Sequence, residues 1–191
     1  MLRGPVWLMQ PIPYFGEALT DTWLYEPKID GWRMQILRWL DGRVELWGRR
    51  LERRPDWTGR LKDIADLCRH AFPAGTLVDC ELSSSRGRRF VPSLFAKNPK
   101  ATPHIYVFDI LWVNNKPVHE LPLVERKQHL KDLELEKPFI ALYGKTVCNL
   151  LQHHTQELDH GYEGIVIKQI ASPYRIGTEA PIVTHFWRKI K

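Results

Sequence analysis

Cysteine is scarce in this chain. Only Cys68, Cys80 and Cys148 occur among 191 residues, far apart and with no Cys-x-x-Cys pair. That spacing argues against a disulfide framework and against a thiolate zinc site, and it suits a reducing compartment. Each cysteine is expected as a small buried hydrophobe. Long apolar runs are also missing, so no membrane-spanning helix is expected, and Met1-Leu2-Arg3-Gly4-Pro5 is not followed by the apolar stretch of a signal peptide. No internal repeat or low-complexity tract appears. His153, His154 and His160 lie near a helix end without metal spacing and are expected at the surface.

What is present is an ordinary globular composition, 43% hydrophobic, enough for one good-sized domain. The 28 Lys and Arg exceed the 22 Asp and Glu, giving +6. That surplus favours polyanionic partners such as nucleic acid or nucleotide, although many soluble proteins carry it without one. In chain order, the first twenty residues, with Pro5, Pro11, Pro13 and Gly16, read as an irregular lead-in. A strand over Trp23 to Glu26 leads to Lys28-Ile29-Asp30-Gly31-Trp32-Arg33. A hairpin follows from Arg33 to Trp47, turning at Asp41-Gly42. Arg49, Arg50, Arg53 and Arg54 form a basic cluster. Thr58 is placed to cap a helix running to about His70. Strands are expected at Thr76 to Leu82, His104 to Val113, Gly164 to Ile170 and Thr184 to Lys191. Helices are expected at Val124 to Leu133 and Cys148 to Asp159, the second ended by Gly161. Strands and helices intermix without strict alternation, which predicts an α+β fold with a mainly antiparallel sheet and flanking helices.

The chemistry concentrates in a few places. Lys28 stands where a turn leaves its amine at a strand end, and only a neutral amine is nucleophilic. Taken alone, the segment also fits a charged hairpin turn. Asp79 and Glu81, two apart, share a strand face, as do Lys189 and Lys191. Phosphates would satisfy the lysines, and a metal or ribose hydroxyls the carboxylates; solvated strand faces are the plainer alternative. Tyr106, Phe108, Ile110 and Trp112 are expected on one side of their strand, as a surface for a base or as core. Asp109, on the other side, is expected to hold the fold. Lys168 is not assigned, because its parity relative to Glu163 points it elsewhere. Arg86, Arg88 and Arg89 fit a solvated loop as well as a nucleic-acid contact.

Five segments in order resemble the motifs of the covalent nucleotidyltransferases, which comprise ATP-dependent DNA ligases, RNA ligases and capping enzymes. Lys28 to Arg33 is similar to the nucleophile motif. Asp79-Cys80-Glu81 stands where the family has Asp-Gly-Glu, with cysteine replacing glycine. Tyr106 to Leu111 resembles the base-stacking strand, Glu163 to Lys168 the Glu-Gly motif, and Trp187-Arg188-Lys189-Ile190-Lys191 the final Trp-x-Lys-x-Lys. Glu-Pro before the lysine, Phe-Asp-Ile-Leu and Trp-Arg-Lys-Ile-Lys lean towards DNA ligases of the bacterial repair type. Leu46-Trp47-Gly48-Arg49 resembles a further ligase segment, although Leu51 replaces its glycine.

The resemblance implies an ATP-grasp-like nucleotidyltransferase (adenylylation) domain over residues 1–191. Lys28, crowded by Arg33, Lys189 and Lys191, would attack the α-phosphorus of ATP and carry AMP to the 5′-phosphate of nicked double-stranded DNA. Glu26, Ile29, Arg49, Glu81 and Phe108 would line the nucleotide site with Lys28, Arg33, Glu163, Lys189 and Lys191. Glu163 and Asp30 would hold Mg²⁺ (or Mn²⁺), Asp30 also acting in catalysis. Arg33, Arg49, Arg50 and Arg53 would meet DNA phosphates. The chain stops at the last residue of the last motif, so the C-terminal OB-fold domain of such ligases is expected to be absent from it: either this is a piece of a longer protein, or a partner in trans supplies the rest. A cytoplasmic or nucleoid-associated protein of bacterial or archaeal type is expected. An RNA ligase or capping-type enzyme, or a non-catalytic nick-binding module, remain as alternative readings.

Overall fold

A computed structural model describes residues 1–191. The chain runs through β1 (Gln10–Pro13), β2 (Trp23–Pro27), β3 (Trp32–Arg38), β4 (Val44–Gly48), α1 (Lys62–Ala71), β5 (Thr76–Ser84) and β6 (Pro103–Val113). It continues with β7 (Lys116–Pro117), α2 (Leu123–Lys131), β8 (Phe139–Ala141), β9 (Lys145–Thr146), α3 (Leu150–Asp159), β10 (Ile165–Gln169) and β11 (Val183–Ile190). The strands make two sheets. One has the order β1-β11-β10-β2-β9, and the other β4-β3-β5-β6-β7 with β8 added on β6. Only β1–β11 and β6–β8 are parallel, so the expected α+β, mainly antiparallel architecture holds. No helix is long and apolar enough to cross a membrane.

Periodicity explains the packing. In α1, Ile64, Ala65 and Cys68 fall on one face and bury against Met34, Ile36 and Leu46 of the second sheet. Each such large aliphatic side chain stabilises the fold by about 1.5–3 kcal/mol. A second cluster joins the sheets: Leu37, Leu77, Leu111 and Trp112 meet Tyr174 and Trp187, with Leu2, Leu8 and Met9 of the N-terminal segment filling in. Asn149 starts α3 by accepting a hydrogen bond from the Gln152 N–H at 3.0 Å, and Gly161 (φ +86°) follows its end.

Four expectations are corrected. The lead-in contains β1, and its prolines are tolerated because it is an edge strand. Thr58 does not cap α1. Its hydroxyl accepts from the Leu46 N–H (2.9 Å) and donates to Asp56 (2.6 Å), and the helix begins only at Lys62. Tyr106, Phe108, Ile110 and Trp112 do not share a face. β6 slips register against β5 at Phe108 and again at Leu111, so Ile110 joins the core under α1 while Phe108 and Trp112 pack towards the other sheet. Cys148 is exposed, unlike buried Cys68 and Cys80.

Candidate active site

Strand pairing puts Lys28 beside Glu163. Past the end of β2 the Lys28 N–H donates to the Gly164 carbonyl (2.8 Å), and the Glu163 N–H donates to the Lys28 carbonyl (3.0 Å). Gly164 sits at φ +127°, where any Cβ would strike the Ile190 carbonyl, so glycine is required there. The Lys28 ammonium forms an ion pair with Glu163 Oε2, and Lys191 Nζ lies 3.8 Å from Oε1. Burial works against the charge of Glu163. The hydrogen bond and charge of Lys28, with Lys191 and Arg88 beyond, nevertheless hold its carboxyl below the usual value. The expected crowding of Lys28 by cations is therefore corrected in one respect: its nearest charged partner is the Glu163 carboxylate.

Between the sheets lies a cavity of about 740 Å³, within the range of nucleotide-sized pockets. Register builds one wall. Glu26 of β2 pairs with Val166 of β10, which pairs with Lys189 of β11, while Lys168 pairs with Trp187, so all five side chains share a face. The other sheet contributes Arg33, Glu81 and Phe108, and Ile29 also lines the space. Nine lining cations (Lys28, Arg33, Arg49, Arg50, Arg53, Arg88, Lys168, Lys189, Lys191) face three carboxylates (Glu26, Glu81, Glu163), a balance suited to a polyphosphate.

Within this frame the expected residues divide. Phe108 is half-buried, its ring 5.5 Å from the Arg33 guanidinium and 4.7 Å from Lys168 Nζ. Glu81 is pushed up to about 7, chiefly by burial, with Arg33 opposing and Asp79 adding to the rise. Asp79 itself is fully buried, as is Asp109, which holds Arg126 in a two-pronged pair at 2.7 and 3.0 Å. Asp30 is outside the cavity lining and pairs with Arg88 at 2.9 Å. Arg33 commits Nε and Nη2 to Asp79, the Met9 carbonyl and the Tyr174 hydroxyl, leaving Nη1 as the one edge without a protein partner. Its guanidinium is a wall of the cavity and not part of an outer groove. Arg49, Arg50 and Arg53 are exposed at the cavity margin.

Lys168 is the residue that strand parity missed. It is buried, donates to Glu26 Oε2 at 2.7 Å and stands 4.0 Å over the Trp187 ring. Burial lowers it to about 8, Lys127 adding to the fall while Glu26 opposes it. Counting from Glu163 misplaced it because Gly164 breaks the alternation; the strand starts at Ile165. Read from Ile165, Val166 and Lys168 share the cavity face.

A lysine paired with a glutamate at the end of one sheet lines a cation-rich cavity together with an aromatic ring, an arrangement suited to binding a nucleotide. The fold agrees. The chain superposes on a mycobacterial DNA ligase D complexed with ATP and MES with a TM-score of 0.71 at 19% identity, covering 95% of this chain and 59% of that one. It superposes on the Chlorella virus DNA ligase-adenylate with a TM-score of 0.67 at 19% identity, covering 96% and 67%. The family described as ATP dependent DNA ligase domain matches residues 9–191, and the chain belongs to that family. Among curated relatives, it is 30% identical over 176 residues to the SPbeta prophage-derived DNA ligase-like protein LigB of Bacillus subtilis, covering 89% of this chain. It is 29% identical over 188 residues to DNA ligase 2 of Korarchaeum cryptofilum, covering 87% of this chain. The chain spans 61% of the length of the first and 30% of the second.

Proposed function

We propose that this chain is the adenylylation domain of an ATP-dependent DNA ligase, which forms a lysine–AMP intermediate and passes AMP to the 5′-phosphate of nicked double-stranded DNA. The observation that carries the reading is the Lys28–Glu163 pair, fixed by reciprocal backbone hydrogen bonds at the mouth of a cavity rich in cations. Adenylylation forms the Lys28 Nζ–Pα bond and breaks the Pα–O bond to pyrophosphate, which leaves with the electron pair. The amine gives up its proton, so Glu163 must release it before attack. Lys189 and Lys191 neutralise the phosphates, Phe108 stacks on adenine, and Glu81 accepts from ribose hydroxyls once ionised. Glu26 fits the base edge, because it lies at the cavity wall.

Glu163 and Asp30 would hold Mg²⁺. No group of three or more potential protein ligands gathers here, but magnesium binds through one or two carboxylates with waters and phosphate oxygens, so Glu163 in the cavity lining fits, and Asp30, outside the lining, would have to leave Arg88 to join it. The ion supplies charge neutralisation at the phosphates. Arg49, Arg50 and Arg53 contact the DNA backbone, and an OB-fold domain or protein in trans completes the clamp around the duplex. A bacterial or archaeal cytoplasm suits this assignment. Incubation with [α-³²P]ATP and Mg²⁺ followed by denaturation tests it. Acid-labile label on the wild type and none on Lys28→Ala is expected; an unlabelled wild type contradicts the reading.

A further inference from the structure

Behind the base wall lies a lysine that the proposed chemistry does not use. The register slip in β6 leaves Phe108 unpaired between Val107, opposite Cys80, and Asp109, opposite Asp79. Its carbonyl is thereby released from the ladder, and two ammonium groups take it. Lys127 Nζ donates to it at 2.7 Å and Lys168 Nζ at 3.3 Å. Lys127 also donates to the Leu142 carbonyl at 2.6 Å and forms an ion pair with Glu26 Oε1, while Lys168 takes Oε2. Lys127 is buried and does not line the cavity. Nor is it needed to fasten α2. The neighbouring Arg126 does that, holding Asp109 and the carbonyls of Leu121 and Ser172.

We propose that Lys127 is a positioning residue that fixes Phe108 and Glu26 together and so sets selectivity for a 6-aminopurine nucleotide. The inference rests on the nucleotide-binding reading above. One ammonium grips the backbone of the stacking residue and the carboxylate of the edge-reading residue, so platform and edge cannot drift apart. An ionised carboxylate only accepts hydrogen bonds. Adenine offers an exocyclic N–H donor at its 6-position and guanine offers an acceptor there. A Glu26 held between two ammonium groups therefore matches the first base and repels the second. A buried polar group left unpaired by the wrong base is what gives such discrimination its size.

The test measures the full chain's affinity for ATP, GTP and purine riboside triphosphate, which lacks the 6-substituent, by equilibrium dialysis, together with Lys28 labelling at varied nucleotide concentration. Wild type is expected to prefer ATP over both. Lys127→Met is expected to lower the ATP:GTP preference about tenfold or more and to raise the KM for ATP more than it lowers kcat. Lys127→Arg should restore most of the preference. A folded Lys127→Met with an unchanged ATP:GTP ratio overturns the proposal. Should that variant fail to fold, Glu26→Gln decides, because it must relax the same ratio with Lys127 in place, and an unchanged ratio there is equally fatal. Base discrimination in dialysis without any labelling of wild type would sink the ligase reading while leaving this inference standing.

Discussion

Arg33 and Asp79 meet between β3 and β5 as a buried, two-pronged ion pair, Nε on Oδ1 at 3.0 Å and Nη2 on Oδ2 at 2.6 Å. Tyr174 donates to the same Oδ2 at 2.6 Å and accepts from the Met9 N–H at 3.1 Å, while Arg33 reaches the Met9 carbonyl at 2.7 Å. Burial opposes the charge of Arg33, but Asp79 more than compensates and raises its pKa. Four distant stretches of chain, around Met9, Arg33, Asp79 and Tyr174, are thus tied at the cavity floor. Arg33→Ala leaves Asp79 buried without its counter-charge and is expected to cost about 3–5 kcal/mol in urea unfolding. A loss well under 1 kcal/mol would show that the pair does not hold the floor.

Glu81 predicts a pH signature. Its native pKa of about 7 lies above the ordinary 4.5. Between those values the native state keeps a proton that the unfolded chain has released, so stability falls as pH rises through the window, and the cost is complete above about 7. Glu81→Gln should therefore be more stable than wild type at pH 8, by about 1–3 kcal/mol. The difference should close below pH 4.5 while nucleotide affinity drops. Denaturant unfolding at pH 4, 6 and 8 checks the sign; a gap that widens on acidification contradicts it.

Gly164 predicts a coupling between backbone and chemistry. Gly164→Ala combines a left-handed φ with a clash against the Ile190 carbonyl. A destabilisation of about 2 kcal/mol or more is expected. Because this glycine sets Glu163 against Lys28, labelling should fall further than the folded fraction does. Calorimetry alongside the labelling rate separates the two effects.

The exposed arginines at the cavity margin predict a salt effect. Replacing Arg49, Arg50 or Arg53 by Gln should weaken nicked-DNA binding similarly for all sequences. Each lost phosphate contact should reduce the slope of log K against log salt by about 0.9. Fluorescence anisotropy at several salt concentrations measures it, and unchanged slopes in all three variants would remove these residues from the interface.

Much of this arrangement is legible in the residues themselves. Lys28 at a strand end, the Asp41-Gly42 hairpin and Asp109 as a fold-holding residue follow from turn chemistry and strand alternation. Alternation also explains where the reading stopped. It holds only while a strand stays regular, and β6 slips twice, so Phe108 and Ile110 part company. Gly164 resets the count before Lys168. The partner of Arg33 went unseen because Asp79 is 46 residues away, and only the β3–β5 pairing brings them together. Lys127 carried no signal: on a short helix it resembles any solvated lysine, and its acceptors are backbone carbonyls that no side-chain pattern reveals.

The most direct test of the account is the chemistry of the Lys28 nitrogen. After incubation with ATP and Mg²⁺, digestion and mass spectrometry should find one AMP, added through an acid-labile P–N bond, on the peptide containing Lys28, and none in Lys28→Arg. AMP on any other side chain, or an unmodified Lys28 peptide at saturating ATP, would contradict it.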